Sequence, residues 1–302
     1  MKPKAANLLF LFAVLFSTVL GTQEKTIRDA LGNPYSPAHA PRRIISLAPN
    51  ITEILFALDL GERIVGVTRY CDYPGEALTK EKIGGLVDPS LEKIKSLNPD
   101  LVIGFRGNPL RVIERLGRLK TPVFVLEMGS HFEAIFGIIE TIGKITKTEK
   151  KAEVLINSMK EKYQRLQLAL QPVIHRPKVF LSLHGRGLWT CGRESFLHDL
   201  LIKAKGENIA GRISRRYMNY NREQLIHDNP EIVIILATSK KEFVQARDWL
   251  RKSSHLESLR AVREDKIYFL DANLATRPGP RLINALAQLA HLLHPEKIKD
   301  IL

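Results

Sequence analysis

The chain has 302 residues, of which 44% are hydrophobic and 26% are charged, as in an ordinary soluble globular protein. These proportions exclude a disordered chain, a collagen-like repeat and a polytopic membrane protein. The formal net charge is +14, from 46 Lys and Arg residues against 32 Asp and Glu residues. Because no run of five basic residues occurs, the charge is spread along the chain and we do not expect a nucleic-acid partner.

The N-terminal segment, residues 1–21, is predicted to be a secretory signal peptide. Lys2 and Lys4 precede an almost entirely apolar stretch, and Gly21 is a small residue suited to cleavage. An uncleaved anchor is the alternative, although the apolar stretch is short for a membrane span. The first cysteine is Cys71. We therefore expect no lipid-modified cysteine, and we predict a periplasmic protein without a lipid anchor.

The segment after the signal alternates between strand and helix patterns. Residues 22–41 are polar and rich in turn formers, so they are predicted to be a surface lead-in. Residues 42–145 are predicted to form an N-terminal lobe, because strands that alternate with helices indicate a parallel α/β sheet. Its predicted strands are 44–47, 64–67, 101–105 and 123–126. Three helices are predicted in this lobe: one begins at Thr52, and the other two span 90–97 and 109–118.

Residues 146–172 are predicted to form one long linking helix. Six apolar residues recur at intervals of three and four, which places them on one stripe of a helix. Pro172 and Pro177 end the pattern, and a short coiled-coil segment is the alternative. The six residues of the stripe are Ala152, Ile156, Met159, Tyr163, Leu166 and Leu170.

The α/β pattern restarts after this helix, and residues 173–302 are predicted to form a C-terminal lobe. The predicted strands are 179–183, 232–236 and 267–270, and the predicted helices are 195–202 and 281–293. The fold class is therefore α/β, with two lobes joined by one long α-helix.

No enzyme motif is evident in the chain. The dinucleotide fingerprint, the Walker loop, the HExxH zinc motif and the GxSxG nucleophile elbow are all absent from the sequence. Its histidines and cysteines do not form a cluster with metal-ligand spacing. We therefore predict a protein that is not an enzyme and has no resident metal or cofactor. A metal-dependent enzyme is the less favoured alternative, because two α/β lobes about a cleft can also house one.

Candidate binding residues follow the predicted strands, where ligands of α/β sheets bind. Aromatic rings with occasional arginines suit a cleft for a large, flat, partly apolar ligand. The candidates are Tyr70, Phe105, Arg106, His184, Trp189, Tyr217, Asn273 and Arg277.

The two cysteines, Cys71 and Cys191, follow strands in different lobes. Three interpretations remain open: two free thiols, a disulfide, or a thiolate site for a metal. A disulfide would require the two Cα atoms to lie within about 7 Å.

Residues 42–302 resemble the substrate-binding proteins of ABC importers that take up cobalamin, haem or ferric siderophores, and most closely the cobalamin-binding branch. The resemblance implies two three-layer lobes, joined by a rigid helix and separated by a ligand cleft. The motifs that carry it include Arg43-Ile44-Ile45-Ser46-Leu47-Ala48-Pro49-Asn50, Tyr70-Cys71-Asp72-Tyr73-Pro74, Asn98-Pro99-Asp100-Leu101-Val102, Gly192-Arg193-Glu194-Ser195-Phe196 and Arg222-Glu223-Gln224-Leu225.

The resemblance also implies a function and a partner. The chain is expected to capture cobalamin or a related corrinoid as a monomer and to deliver it to a permease in the inner membrane. Glu92 and Glu223 match the two glutamates, one on each lobe, that such proteins present to permease arginines. Leu86 stands where that branch has a cleft tryptophan, and His184 stands where it has a phenylalanine.

Two other ligand classes remain open at this point. Haem is commonly held by a His or Tyr iron ligand, which His184, Tyr70 or Tyr217 could supply. A ferric siderophore favours several cleft arginines, and the candidates are Arg106, Arg186 and Arg277.

Overall fold

The computed structural model describes residues 26–36, 39–183 and 187–298. Four short, largely buried strands form a parallel sheet in the N-terminal lobe, in the order β4-β3-β5-β6, while β1 and β2 form a separate antiparallel pair. The strands of this lobe are β1 (Ile27–Arg28), β2 (Pro34–Tyr35), β3 (Ile44–Ser46), β4 (Ile64–Val67), β5 (Leu101–Phe105) and β6 (Val123–Leu126).

Helices cover both faces of this sheet, as a parallel sheet requires. Neighbouring residues of β3 point to opposite faces, so that Ile44 packs in a core with α1 and α4, while Ile45 packs in a core with α2 and α3. The lobe therefore has three layers. Its helices are α1 (Pro49–Ala57), α2 (Leu91–Ser96), α3 (Leu110–Arg118) and α4 (Ala134–Thr146), with short 3-10 helices at Gly61–Arg63 and Gly75–Thr79.

The linking helix, α5 (Glu149–Leu170), has 22 residues, which corresponds to roughly 33 Å. Ala152 and Met159 are buried in the core of the N-terminal lobe, and Leu166 and Leu170 are buried in the core of the C-terminal lobe. One apolar stripe thus anchors the same rigid element in both lobes, which confirms the predicted linking helix.

The start of α5 differs from the prediction by three residues. Thr146 belongs to α4, and Lys147 has a φ of 55°, in the left-handed region where helices commonly end. The sequence analysis missed α4 itself, although Ile135, Ile138, Ile142 and Ile145 are buried and recur at intervals of three and four, as in an amphipathic helix.

The C-terminal lobe repeats the architecture. Its parallel sheet has the order β12-β11-β7-β9, and β8 and β10 form an antiparallel ribbon beside it. The strands are β7 (Lys178–Ser182), β8 (Trp189–Cys191), β9 (Glu207–Asn208), β10 (Tyr217–Asn219), β11 (Ile232–Ala237) and β12 (Ile267–Asp271).

This second sheet also lies between two helical layers. In β11, Ile234 packs in a core with α6 and α11, whereas Val233 packs in a core with α7 and α8. The predicted class of two three-layer α/β lobes is therefore confirmed. The helices are α6 (Phe196–Lys203), α7 (Arg222–Asp228), α8 (Lys240–Lys252), α9 (Arg260–Arg263), α10 (Ala272–Ala275) and α11 (Leu282–Leu293).

The lobes also contact each other outside the linking helix. Phe132, in the segment between β6 and α4, is fully buried in the core of the C-terminal lobe, where its ring stacks on Tyr163 at 4.9 Å. Its backbone N–H donates to the Asp199 carboxylate of α6 at 2.7 Å. The segment that leaves the first sheet is therefore fixed to the second lobe.

Candidate functional site

A cavity of about 400 Å³ lies between the two lobes. On the N-terminal side, three of its residues end or follow parallel strands, namely Tyr70 after β4, Phe105 at the end of β5 and Met128 after β6. On the other side, Tyr217 comes from β10 and Asn273 from α10, which directly follows β12. The carboxyl edges of both sheets thus face one space, as expected for an α/β ligand site.

Five of the eight predicted binding residues line this cavity, and they are Tyr70, Phe105, Tyr217, Asn273 and Arg277. The rings come from both lobes, because Tyr70 and Phe105 belong to the first and Tyr217 belongs to the second. Tyr70 and Tyr217 remain 49% and 37% exposed, so their faces are available to a ligand.

Arg106 does not line the cavity. Its side chain is exposed and forms a salt bridge of 3.1 Å with Glu127. His184 and Arg186 lie outside the described residues, so the structure gives no position for either of them.

Trp189 is also outside the lining of the cavity, although it lies close to it in the fold. It occupies β8, opposite Asn219 of β10, while Tyr217 of β10 lies opposite Cys191. Since side chains two residues apart in a strand share a face, Trp189 and Tyr217 lie on the same face of the ribbon. Trp189 is 39% exposed and would contact a ligand only if that ligand extended beyond the cavity.

Several lining residues were not predicted as binding residues. Met128 follows β6 as Tyr70 follows β4, so its position after a strand is a signal that could have found it. The same signal could have found Ala48, Pro49 and Asn50, which follow β3, and Gly129 and Ser130, which follow β6. The remaining lining residues give no such signal, because their place depends on how helices and loops pack. They are Leu86, Glu194, Phe196, Arg216, Thr276 and Pro278.

Arg277 lies in the cavity wall and is held by acceptors from both lobes. It donates from Nη1 and Nη2 to the two oxygens of the Asp72 carboxylate, the Nη2 bond being 3.2 Å long, and from Nη2 to Asn273 Oδ1 at 2.7 Å. Glu53 Oε1 is 3.6 Å from Nη1. The hydrogen bond from Arg277 lowers the pKa of Asp72, although burial of that carboxyl group acts in the opposite direction.

A second arginine reinforces this contact between the lobes. Arg281 donates from Nε and Nη2 to the Glu53 carboxylate, at 2.9 and 2.6 Å, and its guanidinium lies 3.8 Å from the centre of the Tyr73 ring. Burial opposes the charge on Arg281, but the hydrogen bond and the charge of Glu53, together with Tyr73 and Asp72, outweigh it and raise the pKa of the guanidinium. We refer to Glu53, Asp72, Arg277 and Arg281 as the interlobe latch.

The two cysteines are free and are buried in separate cores, so they do not form the disulfide that was one of the three alternatives. Cys71 Sγ lies 3.1 Å from Thr52 Oγ1 and 3.2 Å from Thr68 Oγ1. Burial raises the pKa of the Cys191 thiol to about 12, which disfavours a thiolate.

The predicted docking glutamates occupy equivalent positions on the two lobes. Glu92 and Glu223 are both exposed and are each the second residue of a short helix, α2 and α7. Each helix begins with a side-chain cap, in which Ser90 Oγ or Asn221 Oδ1 accepts from the backbone N–H three residues later. Neither glutamate makes an ion pair with a described residue, so both carboxylates are available to a partner.

Among residues 26–36, 39–183 and 187–298, no group of three His, Cys, Asp or Glu side chains could hold a metal ion. Within the same part of the chain, no helix has both the length and the apolar character needed to span a membrane.

Comparison with known proteins places this geometry in context. Residues 44–274 match the periplasmic binding protein family. An uncharacterized ABC transporter substrate-binding lipoprotein of Bacillus subtilis is 29% identical over 91% of this chain and 87% of its own length. A vitamin B12-binding protein of Vibrio parahaemolyticus is 28% identical over 85% of this chain and 90% of its own length. The periplasmic haem-binding protein RhuT of Roseiflexus, in apo form, superposes with a TM-score of 0.77 and 25% identity over 84% of this chain and 98% of that one.

The comparison corrects one prediction from the sequence. The expectation of a periplasmic protein without a lipid anchor is wrong, because the Bacillus subtilis relative is a substrate-binding lipoprotein. The absence of an early cysteine was the basis of that expectation. Residues 1–25, which include the predicted signal peptide, lie outside the described residues.

Proposed function

We propose that this chain, which belongs to the periplasmic binding protein family, captures a corrinoid of the cobalamin type in the cavity between its lobes. Proteins of this family bind small solutes for ABC transporter permeases and are not enzymes, in agreement with the expectation from the sequence.

The observation that carries the proposal is the meeting of aromatic rings from both lobes at one cavity. Tyr70 and Phe105 approach from the first lobe, and Phe196 and Tyr217 approach from the second. Rings on two sides offer large, rigid apolar surfaces, which suit a flat macrocycle. Asn50 and Asn273, also in the lining, add amide groups for polar contacts at its edge.

The rigid frame supports the same reading. The linking helix is anchored in both cores, and the latch and the Phe132 contact also join the lobes. A largely pre-formed cavity loses little conformational entropy when a bulky ligand binds. The vitamin B12-binding relative, which aligns with 85% of this chain, also supports a corrinoid as ligand.

Delivery is proposed to use Glu92 and Glu223. One exposed carboxylate on each lobe allows a charge match at two points with a permease, which sets orientation more than affinity. We propose that the chain acts as a monomer in this step, since one copy already presents both carboxylates.

The proposed function is tested by titrating the purified chain with cyanocobalamin and following the corrin absorption. We expect binding of one ligand per chain with a Kd below about 1 µM, which corresponds to about 8 kcal/mol. A double variant, Phe105→Ala with Tyr217→Ala, should bind far more weakly. Absence of cyanocobalamin binding by the folded wild-type chain would refute the corrinoid assignment.

Haem is a second candidate, because Tyr70 is half exposed and lines the cavity, and tyrosine is a known haem-iron ligand. Burial raises the pKa of Tyr217, which disfavours the phenolate that would bind ferric iron at that residue. The haem-binding RhuT has the same fold. Titration with haemin separates the two candidates, because haem bound through Tyr70 would give a spectrum that changes in Tyr70→Phe.

A further inference from the structure

We propose that Asp72 is a specificity-determining residue, which cancels the charge of Arg277 at the cavity wall and so favours uncharged over anionic ligands. The inference rests on the proposed function, because it concerns which members of the ligand class the cavity accepts. Asp72 is not itself a lining residue, so it would act through the arginine that is.

The geometry assigns this role because Arg277 is engaged by carboxylates before any ligand arrives. The side chain of Arg277 is only 12% exposed, and both oxygens of Asp72 accept its hydrogen bonds. Glu53, which is 2% exposed, adds a second negative charge 3.6 Å away. A ligand carboxylate that approached Arg277 would therefore meet two carboxylates already in place.

The charged groups of the cavity lining and of the latch balance each other. Three guanidinium groups, those of Arg216, Arg277 and Arg281, stand against three carboxylates, those of Glu53, Asp72 and Glu194. These six groups together carry no net charge, whereas the chain as a whole carries +14.

Arg277 nevertheless keeps donors for a neutral ligand. A guanidinium has five N–H groups, and the bonds to Asp72 and Asn273 use three of them. The Nε–H has no hydrogen-bond partner among the described residues, whereas the second Nη1–H belongs to a nitrogen 3.6 Å from Glu53 Oε1. A carboxamide oxygen that reaches the Nε–H can accept from it without the cost of displacing Asp72, whereas a carboxylate would have to compete with Asp72 and Glu53.

The test compares two corrin probes that differ in charge, namely dicyanocobinamide, whose corrin side chains end in amides, and cobyrinic acid, whose side chains end in carboxylates. In the wild type, cobyrinic acid should bind at least tenfold more weakly. In Asp72→Asn the ratio of the two Kd values should fall at least tenfold, and Asp72→Asn with Arg277→Gln should abolish that gain. Glu76→Gln removes an exposed carboxylate of the same segment and should keep the wild-type ratio.

An unchanged ratio in Asp72→Asn, or a gain that survives the loss of Arg277, would overturn the inference. Inorganic pyrophosphate provides a probe that does not depend on corrin binding. It should raise the Tm of Asp72→Asn more than that of the wild type or Glu76→Gln, and the excess should vanish in the double variant. If no form binds either corrin, the proposed function fails, while equal pyrophosphate shifts in all four proteins would reject the role of Asp72.

Discussion

Arg281 of the C-terminal lobe donates two hydrogen bonds, at 2.9 and 2.6 Å, to the carboxylate of Glu53 in the N-terminal lobe. The two residues are 228 positions apart in the chain. The Glu53 side chain is 2% exposed and the Arg281 side chain is 20% exposed, so this is a largely desolvated bidentate pair. It joins the lobes beside the ligand cavity, independently of the linking helix.

We expect Glu53→Gln to lower the free energy of unfolding by about 3 kcal/mol, because removing one partner leaves the guanidinium of Arg281 buried without its counter-charge. Urea denaturation at neutral pH measures the change. Glu62→Gln, an exposed carboxylate of the same lobe, serves as the matched control and should change the free energy by less than about 0.5 kcal/mol. Equal effects of the two substitutions would show that the latch does not stabilise the fold.

The latch should weaken in acid through Asp72. Its pKa is lowered in the folded protein, chiefly by the hydrogen bond from Arg277, so the unfolded chain takes up the proton first as the pH falls. The stability that Asp72 contributes is therefore complete above its ordinary pKa of about 4 and is lost as the pH falls through the lower, folded value. Urea denaturation should show Asp72→Asn less stable than wild type at pH 7, with a difference that shrinks as the pH falls below the ordinary pKa of the carboxyl group. A difference that stayed constant with pH would contradict this account.

Tyr217→Ala should weaken binding of cyanocobalamin by about 1–3 kcal/mol, which is about 5- to 150-fold, because its exposed face lines the cavity. Trp189→Ala should weaken binding less, since Trp189 is on the same ribbon but outside the lining. Parallel titrations of the two variants measure the contrast. A larger loss in Trp189→Ala would mean that the ligand lies chiefly beyond the cavity.

Reversing the charge of the docking glutamates should separate delivery from capture. We expect Glu92→Lys with Glu223→Lys to reduce ligand uptake by cells at least tenfold while leaving the Kd for the ligand unchanged, because both carboxylates are on the outer surface. The control is Glu161→Lys, an exposed position on the linking helix, which should keep wild-type uptake. Normal uptake in the double variant would exclude these residues from docking.

The thiols should be unreactive until the protein unfolds. Burial raises the pKa of Cys191 to about 12, and Cys71 is also buried, so neither is expected to react with Ellman's reagent at pH 8 in the native state. In denaturant without reductant, two thiols per chain should react. Detection of none under those conditions would indicate a disulfide and contradict the free cysteines of the structure.

Much of the architecture could be predicted from the sequence, because periodicity is a local property. The stripe from Ala152 to Leu170 predicts a single helix, and the continuous apolar run 232–236 predicts a buried strand, which the structure extends by one residue to Ala237. The two-residue strands were missed because a pair of residues has no period. Helix α4 was missed although its apolar residues have helical spacing.

The ligand site was predictable where it depends on strand ends. Tyr70 and Phe105 follow or end strands of one parallel sheet, so topology alone brings them to the same edge. Arg106 is adjacent to Phe105 in the chain, yet its side chain pairs with Glu127 at the surface, and no pattern in the sequence distinguishes the two directions.

The sequence by itself determined the two lobes, the helix between them and the aromatic character of their strand ends, because these follow from hydrophobic spacing along the chain. Only the tertiary structure decided that Glu53 and Asp72 of one lobe hold Arg281 and Arg277 of the other. That pairing depends on how two separately formed cores are oriented. No local pattern in the sequence links a carboxylate to a guanidinium some 200 residues away.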